Sequence, residues 1–327
     1  MDGKTTAPGF LCLCMSPAID ATVRLPRAPE GRGEIFKNVA DEENAGGKAL
    51  NVARWLALRG AAVSCGGLLG EDNASVFKGE LARCGVGDLF VRVPCCTRRN
   101  EMITWPGGAV KLNRAAFPGL GNGDAAQVAE ICEKVLTRLA QEAGTARKAS
   151  DALPSPAVAI LSGSLPPAVP NDFYAKAVAR FKALGMTVVL DASGEAMRLA
   201  LDARPDLVKP NAEECEALVG FVPKTPDGFR NATAALREKC AHAIISDGGA
   251  GAWFDGEFVA APRVEVVDTT AAGDTLLAEY CWRTFGDQCE NAAAWAVAAG
   301  SAACTMPGSL PPPAALVGAL SLAGAKN

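Results

Sequence analysis

Asp268-Thr-Thr-Ala-Ala-Gly-Asp274-Thr-Leu-Leu277 is a run of small residues that passes directly into an amphipathic pattern. After it, Leu276, Leu277, Tyr280, Cys281 and Phe285 recur at helical spacing; before it, Val264, Val266 and Val267 read as the end of a strand. Ala271, Ala272 and Gly273 are therefore predicted at a helix N-terminus. Backbone N–H groups there lack intrahelical partners, and the positive end of the helix dipole lies behind them, which makes an anion site. Asp274 beside it has two readings: a first-turn carboxylate stabilised by the dipole, or a base that takes a proton from a hydroxyl attacking a phosphoryl group.

At 327 residues the chain has the length for one large α/β domain or a domain with a small appendage. Hydrophobic residues make up 49% and aromatics only 6%, with 34 Gly, the composition of strands alternating with Ala-rich helices. A net charge of -4 and the lack of a dense basic run argue against nucleic acid as a partner. Arg54 and Arg59 interrupt the most apolar early segment, so no membrane span is expected. The 12 Cys lack paired metal-ligand spacing and the N-terminus has no charged-then-apolar signal, which points to a reducing cytoplasm. Cys12, Cys14, Cys95 and Cys96 read as packing thiols.

Strand-then-helix units recur along the chain. Phe10 to Met15 is a buried strand closed by Ser16-Pro17, with Asp20 beyond it. Residues 21 to 43, with Pro26, Pro29 and several cations, read as an excursion from the sheet. Asn44 to Asn51 opens a helix whose apolar side is Leu50, Ala53, Ala57 and Leu58. It is not a P-loop, because Ala49 follows Lys48 and no Gly stands five residues earlier. Gly46-Gly47 is either a plain turn or a place where a ligand approaches the backbone.

A second excursion starts at Phe90 to Val93 and runs through Thr97-Arg98-Arg99-Asn100 to a hairpin at Gly107-Gly108. Asp124 to Ala143 is a helix, and Gly144 to Pro156 reads as an exposed connection. Further strands end at Ser162, at Asp191, at Lys209-Pro210-Asn211 and at Ser246. Turns near Asp20, Ser162, Asn211, Ser246 and Asp274 all follow strands, so a mostly parallel sheet covered on both faces gathers them on one rim.

Together these motifs resemble the ribokinase/PfkB carbohydrate kinase family, and within it the phosphosugar branch that includes 1-phosphofructokinase, tagatose-6-phosphate kinase and the PfkB-type 6-phosphofructokinases. The likeness spans nearly the whole chain. It is carried by Asn44 to Gly60, by Asp268 to Asp274 where the family usually reads Asp-Thr-Thr-Gly-Ala-Gly-Asp, and by Ser162 to Pro167, Lys209 to Glu214 and Ser246 to Gly251 in between. It implies a three-layer α/β/α sandwich, one domain over 1–327, with a small β-lid from about 21–43 and 91–114.

The resemblance also implies roles. Asp274 would be the base, and the amides of Ala271, Ala272 and Gly273 would hold the transferring phosphoryl group. Lys209, Asn211, Ser246, Gly248 and Gly251 would contact ATP, and Glu214 would organise Mg²⁺. Asp20, Gly46, Gly47, Asn51 and Asn100 would contact the sugar; Arg98 would bind its phosphate, completed by Arg32 and Ser164, although a solvated lid charge is the plain alternative for Arg98. The expected acceptor is fructose 1-phosphate. Tagatose 6-phosphate or fructose 6-phosphate are alternatives, followed by an unphosphorylated sugar or nucleoside and by a weakly catalytic sensor. A homodimer formed through the lid is expected. Ala271, Glu279 and Asp247 depart from the family pattern; Ala271 strains its turn by roughly 1–2 kcal/mol if it needs positive φ, and a carboxylate at 279 must find solvent or a partner.

Overall fold

The computed structural model describes residues 9–37, 39–148 and 156–324. Strand β1 (Gly9–Cys14) is buried at every position. Leu11, Leu13 and Met15 enter one core while Phe10, Cys12 and Cys14 enter another. This period of two, apolar on both sides, requires a central strand with layers above and below. At Ser16-Pro17 the chain leaves that sheet and forms β2 (Ala18–Arg24), which pairs antiparallel with β3 (Ala40–Gly46). Helix α1 (Lys48–Leu58), β4 (Val63–Gly70), α2 (Ser75–Cys84) and β5 (Gly87–Val93) return to the large sheet. Then β6 (Arg99–Trp105) and β7 (Gly108–Leu112) complete a small sheet in the order β3-β2-β6-β7.

The second half alternates more regularly. Helix α3 (Ala125–Lys148), β8 (Pro156–Ser162), α4 (Phe173–Ala183), β9 (Thr187–Asp191), α5 (Gly194–Asp202) and β10 (Leu207–Val208) lead to α6 (Cys215–Val219) and α7 (Pro226–Arg237). An antiparallel edge of β11 (His242–Ser246), β12 (Gly251–Phe254) and β13 (Glu257–Ala260) precedes α8 (Ala272–Cys281), α9 (Ala292–Ala303) and α10 (Ala314–Gly324). The large sheet runs β13-β12-β11-β10-β9-β8-β1-β4-β5 and is parallel from β5 to β11. Its order reverses between β1 and β8. In open α/β sheets that switch point opens a crevice beyond the strands' carboxyl ends.

Side chains of α3, α4, α5 and α7 fill the core on one face, and those of α1, α2, α8 and α9 fill the other. The three-layer α/β/α arrangement with a separate small sheet is thus present. Five local expectations change. Val264 to Val267 is not a strand: β13 is the sheet's edge, and Val266 and Val267 are exposed. Phe90 to Val93 belongs to the large sheet, where β5 pairs with β4, so the second excursion starts later. Gly144 to Lys148 continues α3, while 149–155 lies outside the described residues. Leu58 closes α1 on the solvent side, and Cys96 is exposed rather than packed. No helix among the described residues is long and apolar enough to cross a membrane.

The carboxylate of Glu279 does find partners. It is fully buried in α8 and accepts hydrogen bonds from Trp55 Nε1 at 2.8 Å, Arg59 Nε at 2.7 Å and Arg283 Nε at 2.9 Å. The Arg59 guanidinium lies over Trp55 and that of Arg283 over Trp295, which adds a cation–π contact to each. This cluster fastens α1 to α8. Deleting one member of such a buried set characteristically costs about 3–5 kcal/mol because an unpaired charge stays behind.

At its other end α8 begins on a strained residue. Ala271, the N-cap, has φ 61° and ψ 5°, the left-handed region. Asp268 braces this turn by accepting from the Thr270 amide at 2.8 Å and the Gly308 amide at 3.1 Å. Relief of the Cβ clash at Ala271, offset by the greater freedom of Gly in the unfolded chain, predicts that Ala271→Gly stabilises the protein by about 1 kcal/mol. Urea unfolding measures this directly, and a destabilised variant would contradict the strain.

Candidate active site

The rim beyond the switch point carries two concavities that meet at the start of α8. A cavity of about 370 Å³ lies between the small sheet and the rim, lined by Asp20, Lys48, Asn51, Arg98, Lys111 and Asp274 among others. A longer cleft of about 890 Å³ runs between the 246–251 loop, Pro262 to Val266 and α9. Thr269 and Gly273 line both. The amides of Ala271, Gly273 and Asp274 donate to no acceptor among the described residues, so the turn presents free N–H groups where the two spaces join.

Asp274 is only 5% exposed, and its Oδ2 accepts from Asn51 Nδ2 at 2.8 Å. Burial, with Asp191 adding to it, raises its pKa against the opposing pull of Lys48. Asp191, fully buried at the tip of β9, accepts from Ser162 Oγ at 3.1 Å and pairs with Lys209 Nζ at 3.2 Å and Lys48 Nζ at 3.5 Å. Burial alone would raise its pKa, but Lys209 and Lys48 overcome that and hold it below the usual carboxylate range. The Lys48 pKa is raised in turn, chiefly by Asp191. Two ammonium groups are thereby fixed beside the turn, and a Cβ on Gly273 would stand 3.4 Å from Lys209 Nζ.

The other wall of the smaller cavity is built on the small sheet. Asp20 Oδ1 accepts from Asn100 Nδ2 at 3.0 Å across the paired strands β2 and β6. A Cβ on Gly46 would fall 2.1 Å from Asp20 Oδ2, so Gly46 is the seat of this carboxylate rather than a free turn. Gly47 has φ 124° and meets Cys14 and Pro17 at 3.0 and 3.1 Å where a Cβ would stand, so the entry to α1 needs glycine for both reasons. Arg98 is half-buried and donates to the carbonyls of Ser16 at 3.1 Å, Pro17 at 3.3 Å and Arg114 at 2.8 Å. Among the described residues no carboxylate lies within ion-pair distance of it, Asp20 acting on it only from further off, and it lines the cavity. Burial lowers its pKa.

On the cleft side, Asn211 and Glu214 cap each other: the Asn211 amide donates to Glu214 Oε2 at 2.9 Å and the Glu214 amide donates to Asn211 Oδ1 at 2.7 Å. Asn211, Ser246, Gly248 and Gly251 line the cleft, as does Asp247. Gly248 has open space where a side chain would stand. Gly251 does not: a Cβ there would meet Val259 O at 2.1 Å, so its smallness serves the packing of β13.

Two expected residues are not brought in. Arg32 is exposed in the loop joining β2 to β3, and Ser164 is exposed past the end of β8; neither lines the cavity. Conversely, Lys48, Asp191, Arg54 and Lys111 were not anticipated. Lys111 Nζ donates to Thr270 Oγ1 at 2.6 Å, joining the small sheet to the turn. Lys48 had a signal, a cation just inside a helix start after Gly-Gly; Arg54 had one too, a charge in an otherwise apolar stretch.

Comparison with known proteins gives the family. The model of the pfkB family carbohydrate kinases matches residues 14–104 and 121–315. Curated relatives named 1-phosphofructokinase include one from Vibrio cholerae serotype O1, 32% identical over 83% of this chain and 81% of its own length. Another, from Rhodobacter capsulatus, is 33% identical over 81% and 80%. Among solved structures, phosphofructokinase-2 from Escherichia coli in complex with potassium shares the fold with a TM-score of 0.81, at 24% identity over 98% of this chain and 100% of its own. The same enzyme in complex with fructose-6-phosphate gives 0.78 at 22% identity, covering 98% and 100%. The family match over most of the chain, joined to a buried Asp at a free helix N-terminus, places this protein in the pfkB family of carbohydrate kinases, phosphotransferases that act on an alcohol group.

Proposed function

We propose that the protein transfers the γ-phosphoryl group of ATP to a hydroxyl of a ketose phosphate, with fructose 1-phosphate as acceptor and fructose 1,6-bisphosphate as product. The observation that carries this is the junction of the two concavities on Thr269 and Gly273, with Asp274 on the smaller side. A nucleotide along the cleft brings its terminal phosphate to the free amides, and an acceptor in the cavity brings its hydroxyl to Asp274. The hydroxyl proton passes to the carboxylate, the new O–P bond forms, the bond to the β-phosphate oxygen breaks, and ADP leaves. Little covalent work falls to the protein, so fixed donors and cations supply most of the rate enhancement.

Lys48 and Lys209, held by Asp191, stand beside the amides where charge develops. Glu214 fits a role toward Mg²⁺: one oxygen is engaged by Asn211, the other accepts no hydrogen bond among the described residues, and no cluster of three acidic, Cys or His ligands exists there. Magnesium commonly uses one or two carboxylates with phosphates and water, and when bound it neutralises phosphate charge. Two cations in one lining, Arg98 with no ion pair among the described residues and Lys111, support an acceptor that already carries a phosphate. The relatives' names support fructose 1-phosphate.

ADP release with Mg-ATP, measured across free ketoses, ketose phosphates and nucleosides, tests the assignment; turnover confined to unphosphorylated acceptors would overturn it. Asp274→Asn is expected to lower kcat by about 10²–10⁴-fold. Because its pKa is raised in the folded state, ionising Asp274 opposes folding, and that cost is complete above the raised value and absent below the ordinary carboxylate range. Asp274→Asn should therefore be more stable than the parent at pH 7, with the gap closing as pH falls below that range. For Arg98→Ala the Michaelis constant for the ketose phosphate should rise about tenfold or more, with that for ATP unchanged. We also propose a dimer through the small sheet, supported by the exposed Val110 and Leu112 on one face of β7. Light scattering should show the dimer and its loss in Val110→Asp; a monomeric parent would refute it.

A further inference from the structure

Arg54 is 2% exposed, in a helix whose other buried residues, Leu50, Ala53 and Leu56 among them, are apolar. Its guanidinium reaches three elements: Nη1 donates to Glu80 Oε1 of α2 at 3.0 Å, and Nη2 donates to Asn51 Oδ1 at 2.6 Å and to Ser309 Oγ at 3.3 Å. Its Nε finds no acceptor among the described residues. A buried cation with an unsatisfied N–H is a poor device for stability, since apolar residues of similar volume serve as well or better. Arg54 lines neither concavity, so it does not meet substrate.

What it does meet is the partner of Asp274. A side-chain amide has one oxygen that accepts and one nitrogen that donates. With Oδ1 of Asn51 taken by Arg54, Nδ2 is turned to Asp274 Oδ2, which it meets at 2.8 Å. Without Arg54 the amide is held at one end only, by its bond to the carboxylate, and is free to swing out of this position. Ser309 is itself tied to the turn, because the Gly308 amide donates to Asp268 Oδ2 at 3.1 Å.

We infer that Arg54 is a positioning residue for phosphoryl transfer: through Asn51 it holds one oxygen of Asp274 and leaves the other for the acceptor hydroxyl. This rests on Asp274 being the base. The other charged groups that bear on Asp274 are Lys48 at the start of α1, Asp191 at the tip of β9 and Lys209 beyond β10, and none of them depends on Arg54 for its place. Losing the Asn51 donor removes one influence that favours the carboxylate, so the acid limb of kcat moves to higher pH.

The test is a double-mutant cycle of Arg54→Met and Asn51→Ala, with Asp274→Asn alongside. Arg54→Met leaves Glu80 paired to Arg83, whose Nη2 and Nε lie at 2.9 and 3.0 Å, so the variant does not strand that carboxylate. Arg54→Met should lower kcat about tenfold, keep both Michaelis constants within about twofold, and raise the acid limb. The double variant should lose no more than Asn51→Ala alone. Additive losses, or a fallen kcat with an unmoved acid limb, overturn the proposal. If Arg54→Met does not fold, Arg54→Lys keeps a charge beside Glu80 without the fork that serves Asn51; the same loss and shift are expected, and parental values overturn the proposal. Full turnover in Asp274→Asn would instead defeat the base assignment itself, whatever Arg54 does.

Discussion

A carboxylate with no exposure to water must be neutralised by cations or must take up a proton, and Asp191 takes the first course. Its position at the tip of β9 determines much of the rim. Lys209 arrives from β10 and Lys48 from the first turn of α1, both drawn within 3.5 Å of the same oxygen, while Ser162 at the end of β8 satisfies the other. Three strands and a helix are thereby held in one register by a single charge. The two ammonium groups then stand beside the free amides of the α8 turn, and the positive field there follows from the need to bury that carboxylate.

Asp274 is the converse case. It too is buried, but its nearest fixed partner is a neutral amide, and Asp191 repels it. Two carboxylates in one crevice are thus pushed in opposite directions: Asp191 stays ionised at lower pH than an ordinary carboxylate, and Asp274 binds a proton more readily than one. The distinction suits the roles proposed for them. A group that must accept a proton needs the higher affinity, and a group that must anchor cations needs a permanent charge.

The layers of the fold were legible because β1, β8 and β9 are short apolar runs that end in polar turns, and the turns at Ser162, Asn211, Ser246 and Asp274 all follow strands. The small sheet was legible from its prolines, cations and paired glycines. The tertiary partners were not. Asn51 and Asp274 are separated by 223 residues, Lys48 and Asp191 by 143, and no local pattern encodes which distant side chain will face a given carboxylate. Glu279 looked misplaced for the same reason: its compensating cations, Arg59 and Arg283, are near in space but carry no sequence mark of their purpose. Val264 to Val267 misled because a run of β-branched residues also suits the wall of a cleft.

Asp20, Asn100 and Lys111 belong to the small sheet and Arg98 sits at the threshold of β6, whereas Asp274, Lys209 and Asp191 stand on the large sheet's rim. Under the proposed function, recognition of the acceptor and activation of its hydroxyl fall to separate structural units, linked among other places by the contact from Lys111 to Thr270. Such modularity makes the architecture evolvable: exchanges along β2, β6 and β7 can retune which sugar is admitted without disturbing the machinery that moves the phosphoryl group. A lineage built on this plan can diversify its diet while inheriting its chemistry unchanged.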